Sequence, residues 1–384
     1  MLPIPPNSNK RIYFPNLNAI RAIAAFMVII YHIEQYKSEF GLPNYYLHPI
    51  IGNWGFLGVL LFFVLSGFLI TYLLLAERQR TRTINIRQFY RKRICRIWPL
   101  YYVLVGLALF VLPHLPILNM PGADTRPTRE HLVYYGLFLT NMTLGIAPIQ
   151  FTLQTWSIGT EEQFYLIWPL ILKYTRNKYV ALLGVLAGYT TLSVLAHAFN
   201  PTVGSFNPAQ YLGLFCIDSM AIGGLAAALL IDNHRAVLNV LHSRRCQLLS
   251  LGLLLGLIAY GTPWKGLHFT LYSVLFAVLV LNFATSPVPI VNLENPVLNY
   301  LGKISFGLYM LHPIVIVACI NTLTALQLGM GWLYPLSLLL TVALSALSYQ
   351  FLEKRFLTMT RPARPVPAGP QPVLPAPNEL AAAA

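Results

Sequence analysis

The sequence predicts an all-α protein that crosses a lipid bilayer several times. Three observations predict it. Hydrophobic residues make up 56% of the 384 and charged residues only 10%, where a soluble domain carries about 25% charged residues. Apolar runs of about 20 residues recur along the chain, the length a helix needs to cross hydrocarbon. The cations gather in alternate connecting segments, the signature of the positive-inside rule. This composition excludes a soluble enzyme. The net charge of +14 belongs to membrane topology, because no motif for RNA or DNA accompanies it.

Ten spanning helices are predicted, over roughly 17–36, 54–76, 97–112, 158–173, 179–198, 210–231, 247–261, 267–284, 304–323 and 332–351. The stretch 131–146 is apolar but short, and Gly136, Asn141 and Gly145 interrupt it. It is expected to be re-entrant or interfacial, since about 20 unbroken residues are needed to span. With both termini in the cytoplasm, 21 cations fall inside and 4 outside, with Arg21 inside the membrane. An eleventh span at 131–146 would destroy that asymmetry.

The expected organisation is a cytoplasmic segment 1–16, a transmembrane domain 17–357, and a disordered cytoplasmic tail 358–384 rich in Pro and Ala. Lys10 and Arg11 precede a long first span with no small-residue cleavage pattern after it, so no cleavable signal is expected. Cys95, Cys216, Cys246 and Cys319 show neither metal spacing nor a disulfide framework.

The first span, LNAIRAIAAFMVIIYHIEQY, carries Arg21 and His32. Eleven residues are about three helical turns, so the two side chains share a face roughly 16 Å apart. An arginine at membrane depth is costly unless it faces protein, water or an anion. The second span contains GFLGVLLFFVLSGFLI, in which Gly55, Gly58, Ser66 and Gly67 allow close helix approach. In FYRKRICRIWPLYY, Arg93 and Arg96 lie three apart and share a face. They suit a phosphorylated ligand, since guanidinium grips phosphate oxygens in pairs. TWSIGTEEQFYLIWPL places Trp156 and the acids Glu161 and Glu162 at the start of an apolar helix. A carboxylate at that depth needs a partner. It is expected at the level of His32, to orient the imidazole or hold an acceptor hydroxyl. GKISFGLYMLHPI brings Tyr309 and His312 onto one face, and YQFLEKRF closes the last helix with Glu353 and Lys354 as boundary charges.

In this order, these motifs resemble those of the acyltransferase-3 family of bacterial multi-pass membrane O-acyltransferases. The resemblance covers about residues 13–357. It implies acyl transfer, most often of acetyl, from acyl-CoA to a hydroxyl of a carbohydrate or glycoside acceptor, which can be lipid-linked. It implies a bacterial inner-membrane location, acyl-CoA as co-substrate, and no tightly bound cofactor or metal. It assigns the essential Arg and His to Arg21 and His32, the RxxR pair to Arg93 and Arg96, and the motif acid to Glu161. Ser66, Trp156, Tyr309 and His312 fall into substrate-binding or supporting positions. One departure is Leu60, where many relatives carry an acid.

Within this resemblance His32 is expected to act as general base, because histidine titrates near neutrality. An acyl-histidine intermediate is the open alternative. Arg21, Arg93 and Arg96 would hold the CoA phosphates. A proton-coupled secondary transporter, using intramembrane Arg, His and Glu, is the competing class. Transporters often show paired inverted halves, and no such internal symmetry is visible.

Overall fold

A computed structural model describes residues 13–122, 127–145, 148–199, 208–261 and 267–360. Described residues form helices and turns, with no strand among them. The chain runs through α1 (Leu17–Glu39), α2 (Ile51–Thr81), α3 (Ile86–Phe110), the short α4 (Arg129–Gly136), α5 (Thr155–Tyr174) and α6 (Lys178–Phe199). It continues with α7 (Pro208–Phe215), α8 (Ile217–Ile231), α9 (Arg235–His242), α10 (Arg244–Tyr260) and α11 (Leu267–Thr285). The last helices are α12 (Pro296–Lys303), α13 (Ser305–Ala325), α14 (Leu333–Ser348) and α15 (Lys354–Met359), with one π-helical turn (Tyr349–Glu353) between the final two.

The protein is an all-α, multi-pass membrane protein. Seven stretches among the described residues are long and apolar enough to cross a bilayer: Leu17–Glu39, Ile51–Thr81, Ile86–His114, Lys178–Phe199, Tyr211–Ile231, Ser305–Ala325 and Met330–Met359. The other three expected spans are also helical, as α5, α10 and α11, but do not meet those criteria. α5 carries Glu161, Glu162 and Lys173 within 20 residues, and α10 has 17 residues. The apolar part of α11 runs only over Phe269–Thr285.

The expected bounds shift where charge or proline flanks an apolar run. α3 starts at Ile86 and passes through Pro99, so the RxxR residues belong to the helix itself. The expected span 210–231 is broken at Cys216, which has φ 39°. The interrupted stretch 131–146 forms α4 and a separate 3₁₀ turn (Thr140–Gly145). An eight-residue helix rises about 12 Å, too little to cross. Residues 1–12 and 361–384, which include most of the expected terminal segments, lie outside the described residues.

α14 shows why the bundle suits lipid. Leu339 and Leu347 point outward at 65% and 55% exposure, while Ser337, Thr341 and Ser345 are fully buried. This reverses soluble amphipathicity. Small polar residues pack between helices and apolar ones meet hydrocarbon. α6 likewise presents Val180, Leu183 and Leu192 outward.

The centre of the bundle is the contact of α2 with α8. A Cβ on Gly67 would lie 2.0 Å from the Met220 carbonyl oxygen, and one on Gly223 would lie 2.1 Å from that of Val64. Only reciprocal glycines allow that approach. The start of α1 is latched from the opposite end of the sequence. Asn16, at φ 62°, donates its backbone N–H to Glu294 at 2.7 Å and its amide to Phe283 O at 3.0 Å. Leu293 N–H donates to the Asn16 side chain at 2.7 Å. This latch fixes the helix that carries Arg21 and His32.

Candidate active site

The predicted residues fall into two groups, at the two ends of α1. At the Arg21 end, the guanidiniums of Arg21, Arg93 and Arg96 lie within electrostatic reach of one another and of Glu161. Arg93 sits over the rings of Phe89 and Tyr165, 5.5 Å from each centroid. Its Nε is buried without a hydrogen-bond partner. Among the described residues none of the three arginines has a carboxylate within 4.0 Å. Three cations so close repel, and an anion among them relieves the repulsion.

Glu161 belongs to this group. Ser66 Oγ donates to it at 2.6 Å, and Tyr165 OH donates in turn to Ser66 Oγ at 3.1 Å. Among the described residues no hydrogen bond joins Glu161 to His32. α5 begins at Thr155, so Glu161 lies about 9 Å along the helix from its start. The neighbouring acid, Glu162, accepts from Trp98 Nε1 at 3.1 Å. Leu60 is fully buried.

At the other end of α1, His32 meets His312. His32 Nδ1 lies 2.9 Å from Val28 O and 3.2 Å from His312 Nε2. The ring centroids are 4.8 Å apart. His312 is fully buried, with Nδ1 3.1 Å from Leu308 O. One turn back on α13, Tyr309 OH donates to Gln154 O at 2.8 Å and lies 2.7 Å from Ser157 Oγ. Gln154 Nε2 donates to Met310 O at 2.9 Å. The start of α5 therefore holds α13 in the register that presents His312 to His32. Trp156 stacks on Phe56 with planes 8° apart and meets Phe63 edge-on, so it packs α5 against α2.

The structure adds residues not singled out from sequence. Tyr165 is four residues after Glu161 and shares its face, a signal its position could have given. Gln154 and Ser157 both hydrogen-bond Tyr309. Glu353, expected as a boundary charge, is buried, accepts from Ser348 at 3.3 Å and feels the charge of Arg96. Glu34, also buried, accepts from Lys37 at 2.7 Å, from Tyr334 OH at 2.5 Å and from Tyr45 N–H. It closes the His32 end of α1.

A separate basic cavity of about 670 Å³ lies where α2 and α8 end and α6 begins, lined by Arg78, Arg82, Arg176, Lys178 and Asp232 among others. Much of its charge is already used. Arg78 donates to Leu172 O and Thr175 O at 2.8 and 3.0 Å, satisfying carbonyls at the end of α5. Lys178 pairs with Asp232 at 2.6 Å.

Comparison with known proteins identifies relatives of the whole described bundle. The chain is 26% identical over 367 residues to a peptidoglycan O-acetyltransferase of Listeria monocytogenes, covering 90% of this chain and 56% of the relative. It is 28% identical over 376 residues to a putative O-acetyltransferase of Staphylococcus aureus, covering 90% and 58%. A putative peptidoglycan O-acetyltransferase of Bacillus subtilis is 25% identical over 368 residues, covering 90% and 55%. The chain thus spans little more than half the length of these relatives. No solved structure matches it. The family described as an acyltransferase domain matches residues 14–350, and the chain belongs to this acyltransferase-3 family.

Proposed function

We propose that this chain is a membrane O-acyltransferase that moves an acyl group, in the first instance acetyl, from acyl-CoA to a carbohydrate hydroxyl. The observation that carries the proposal is the division of labour along α1. A cluster of arginines with no carboxylate within 4.0 Å among the described residues occupies one end, and a histidine backed by a second histidine occupies the other, about 16 Å away. A pantetheine arm is of comparable length. Arg21, Arg93 and Arg96 hold the CoA phosphates by charge and paired hydrogen bonds. His32 then meets the thioester.

His32 accepts the proton of the acceptor hydroxyl. The oxygen attacks the thioester carbonyl, a C–O bond forms and the C–S bond breaks. His32 returns the proton to the CoA sulfur. A positioned base of this kind contributes roughly 10²–10⁴-fold. Glu161, fixed by Ser66, balances the arginine charge and keeps their geometry. The arginine cluster faces the cytoplasm, where CoA is available, and the His32 end faces outward, in the bacterial plasma membrane. The names of the Listeria and Bacillus relatives make a peptidoglycan hydroxyl the first acceptor to test.

The test uses the purified chain in phospholipid vesicles, with CoA carrying a radiolabelled acetyl group and soluble peptidoglycan fragments. Ester-linked label on the glycan is the expected result. Retention of all label on CoA, across peptidoglycan, lipid-linked and free sugar acceptors, would overturn the proposal.

A further inference from the structure

We infer that His312 is a positioning residue that fixes the proton of His32 on Nδ1 and so leaves Nε2 as the reactive lone pair. The inference rests on the proposed acyl transfer and concerns one step of it. Two carbonyls determine where the protons lie. His32 Nδ1 is 2.9 Å from Val28 O. A carbonyl oxygen only accepts, so this nitrogen carries hydrogen. His312 Nδ1 is 3.1 Å from Leu308 O, with the Tyr309 carbonyl also within reach. Residue 313 is proline, which has no N–H and leaves the Tyr309 carbonyl without its helical donor. His312 Nδ1 therefore also carries hydrogen.

A neutral imidazole with hydrogen on Nδ1 has its lone pair on Nε2. That atom of His312 lies 3.2 Å from His32 Nδ1. Two N–H groups facing each other at this distance would repel, so His312 is neutral and accepts. The Nδ1–H of His32 is shared between Val28 O and His312 Nε2. When His32 Nε2 takes the hydroxyl proton, the resulting imidazolium keeps both acceptors at Nδ1. His312 neither gains nor loses a proton and does not touch the acceptor.

Burial alone would fit an inert core histidine. Yet His312 makes its side-chain hydrogen bond to a residue 280 positions away, and its register is held by the bonds of Tyr309 and Met310 to the start of α5. The arrangement orients a base as the buried carboxylate does in a Ser-His-Asp triad, with an imidazole in the carboxylate's place.

The experiment compares full-length His312→Leu and His312→Gln with wild type in the vesicle transfer assay. Leucine removes the acceptor, while the glutamine amide can place an oxygen where Nε2 stood. His312→Leu is expected to lower kcat by roughly 10²-fold, within the range for positioned proton transfer, with KM for acyl-CoA unchanged. His312→Gln is expected to recover most of that loss. Wild-type kcat in His312→Leu would overturn the inference. So would equal loss in both variants with KM raised, the mark of a general packing defect. If His312→Leu does not fold, nitrogen-15 NMR of histidine-labelled wild type decides. His32 protonated on Nδ1 is expected, and protonation on Nε2 would overturn the inference. Full activity of His32→Ala would remove the base itself and the proposed function with it. An inactive His32→Ala beside a normal His312→Leu would remove only the role of His312.

Discussion

Ser66 donates a 2.6 Å hydrogen bond to Glu161, and this bond joins α2 to α5 beside the arginine cluster. A bond to a charged group contributes about 1.5–3 kcal/mol. Ser66→Ala is predicted to lower the unfolding temperature in detergent. Turnover falls with it, because Glu161 loses its anchor. Ser66→Thr, which keeps the hydroxyl, is predicted to retain more of both. Scanning fluorimetry and the transfer assay on the same preparations check this.

The contact of α2 with α8 predicts a sharp contrast among glycines. Gly67→Ala and Gly223→Ala place a methyl group 2.0 and 2.1 Å from a backbone oxygen, whereas Gly106 has nothing within 4 Å. Overpacking of this kind costs about 1–3 kcal/mol, occasionally more. Thermal unfolding should show large losses for Gly67→Ala and Gly223→Ala and almost none for Gly106→Ala.

The latch on α1 carries a pH dependence. Burial pushes the Glu294 carboxyl up, but bonds from Asn16 N–H, Tyr13 and Asn299 outweigh it and hold the group below its usual 4.5. The partner Tyr13 is pushed up to about 12 by burial and by its bond to Glu294. For a carboxyl depressed in the folded state, the stabilisation is complete above the unfolded value and is lost as pH falls through the folded one. Stability should therefore decline as pH drops below about 4.5, and Glu294→Gln should lessen that decline while lowering stability at neutral pH. Unfolding temperatures measured between pH 6 and pH 3 test it.

The arginines should separate binding from chemistry. Arg93→Ala and Arg96→Ala are each predicted to raise KM for acyl-CoA about tenfold, equivalent to about 1.4 kcal/mol, with a smaller effect on kcat. Initial rates across acyl-CoA concentrations measure both. Lysine at either position keeps charge but loses the paired geometry, so only partial recovery is expected.

Much of this was legible in the sequence because the signals are local. Arg21 and His32 lie on one helix, Arg93 and Arg96 are three apart, and each predicted span is an apolar run. The meeting of His32 with His312 was not legible, because 280 residues separate them and no periodicity connects α1 to α13. The bond of Ser66 to Glu161 was not legible either, because 95 residues separate them. Counting from the apolar onset put α5 at 158, but the helix starts at Thr155. The predicted third span began at 97, but α3 starts at Ile86, because its first turns are too charged to register as apolar. The π-helical turn at Tyr349–Glu353 re-aims Glu353 inward, a change that hydropathy cannot register.

The central claim is that His32 performs the proton transfer in acyl transfer from CoA. Single-turnover transfer of labelled acetyl from CoA to a glycan hydroxyl, by wild type and His32→Ala in the same vesicles, tests it most directly. The account predicts a fall of roughly 10²–10⁴-fold in the single-turnover rate, with acyl-CoA binding retained through Arg21, Arg93 and Arg96. A His32→Ala protein that transfers acetyl at the wild-type rate would contradict it.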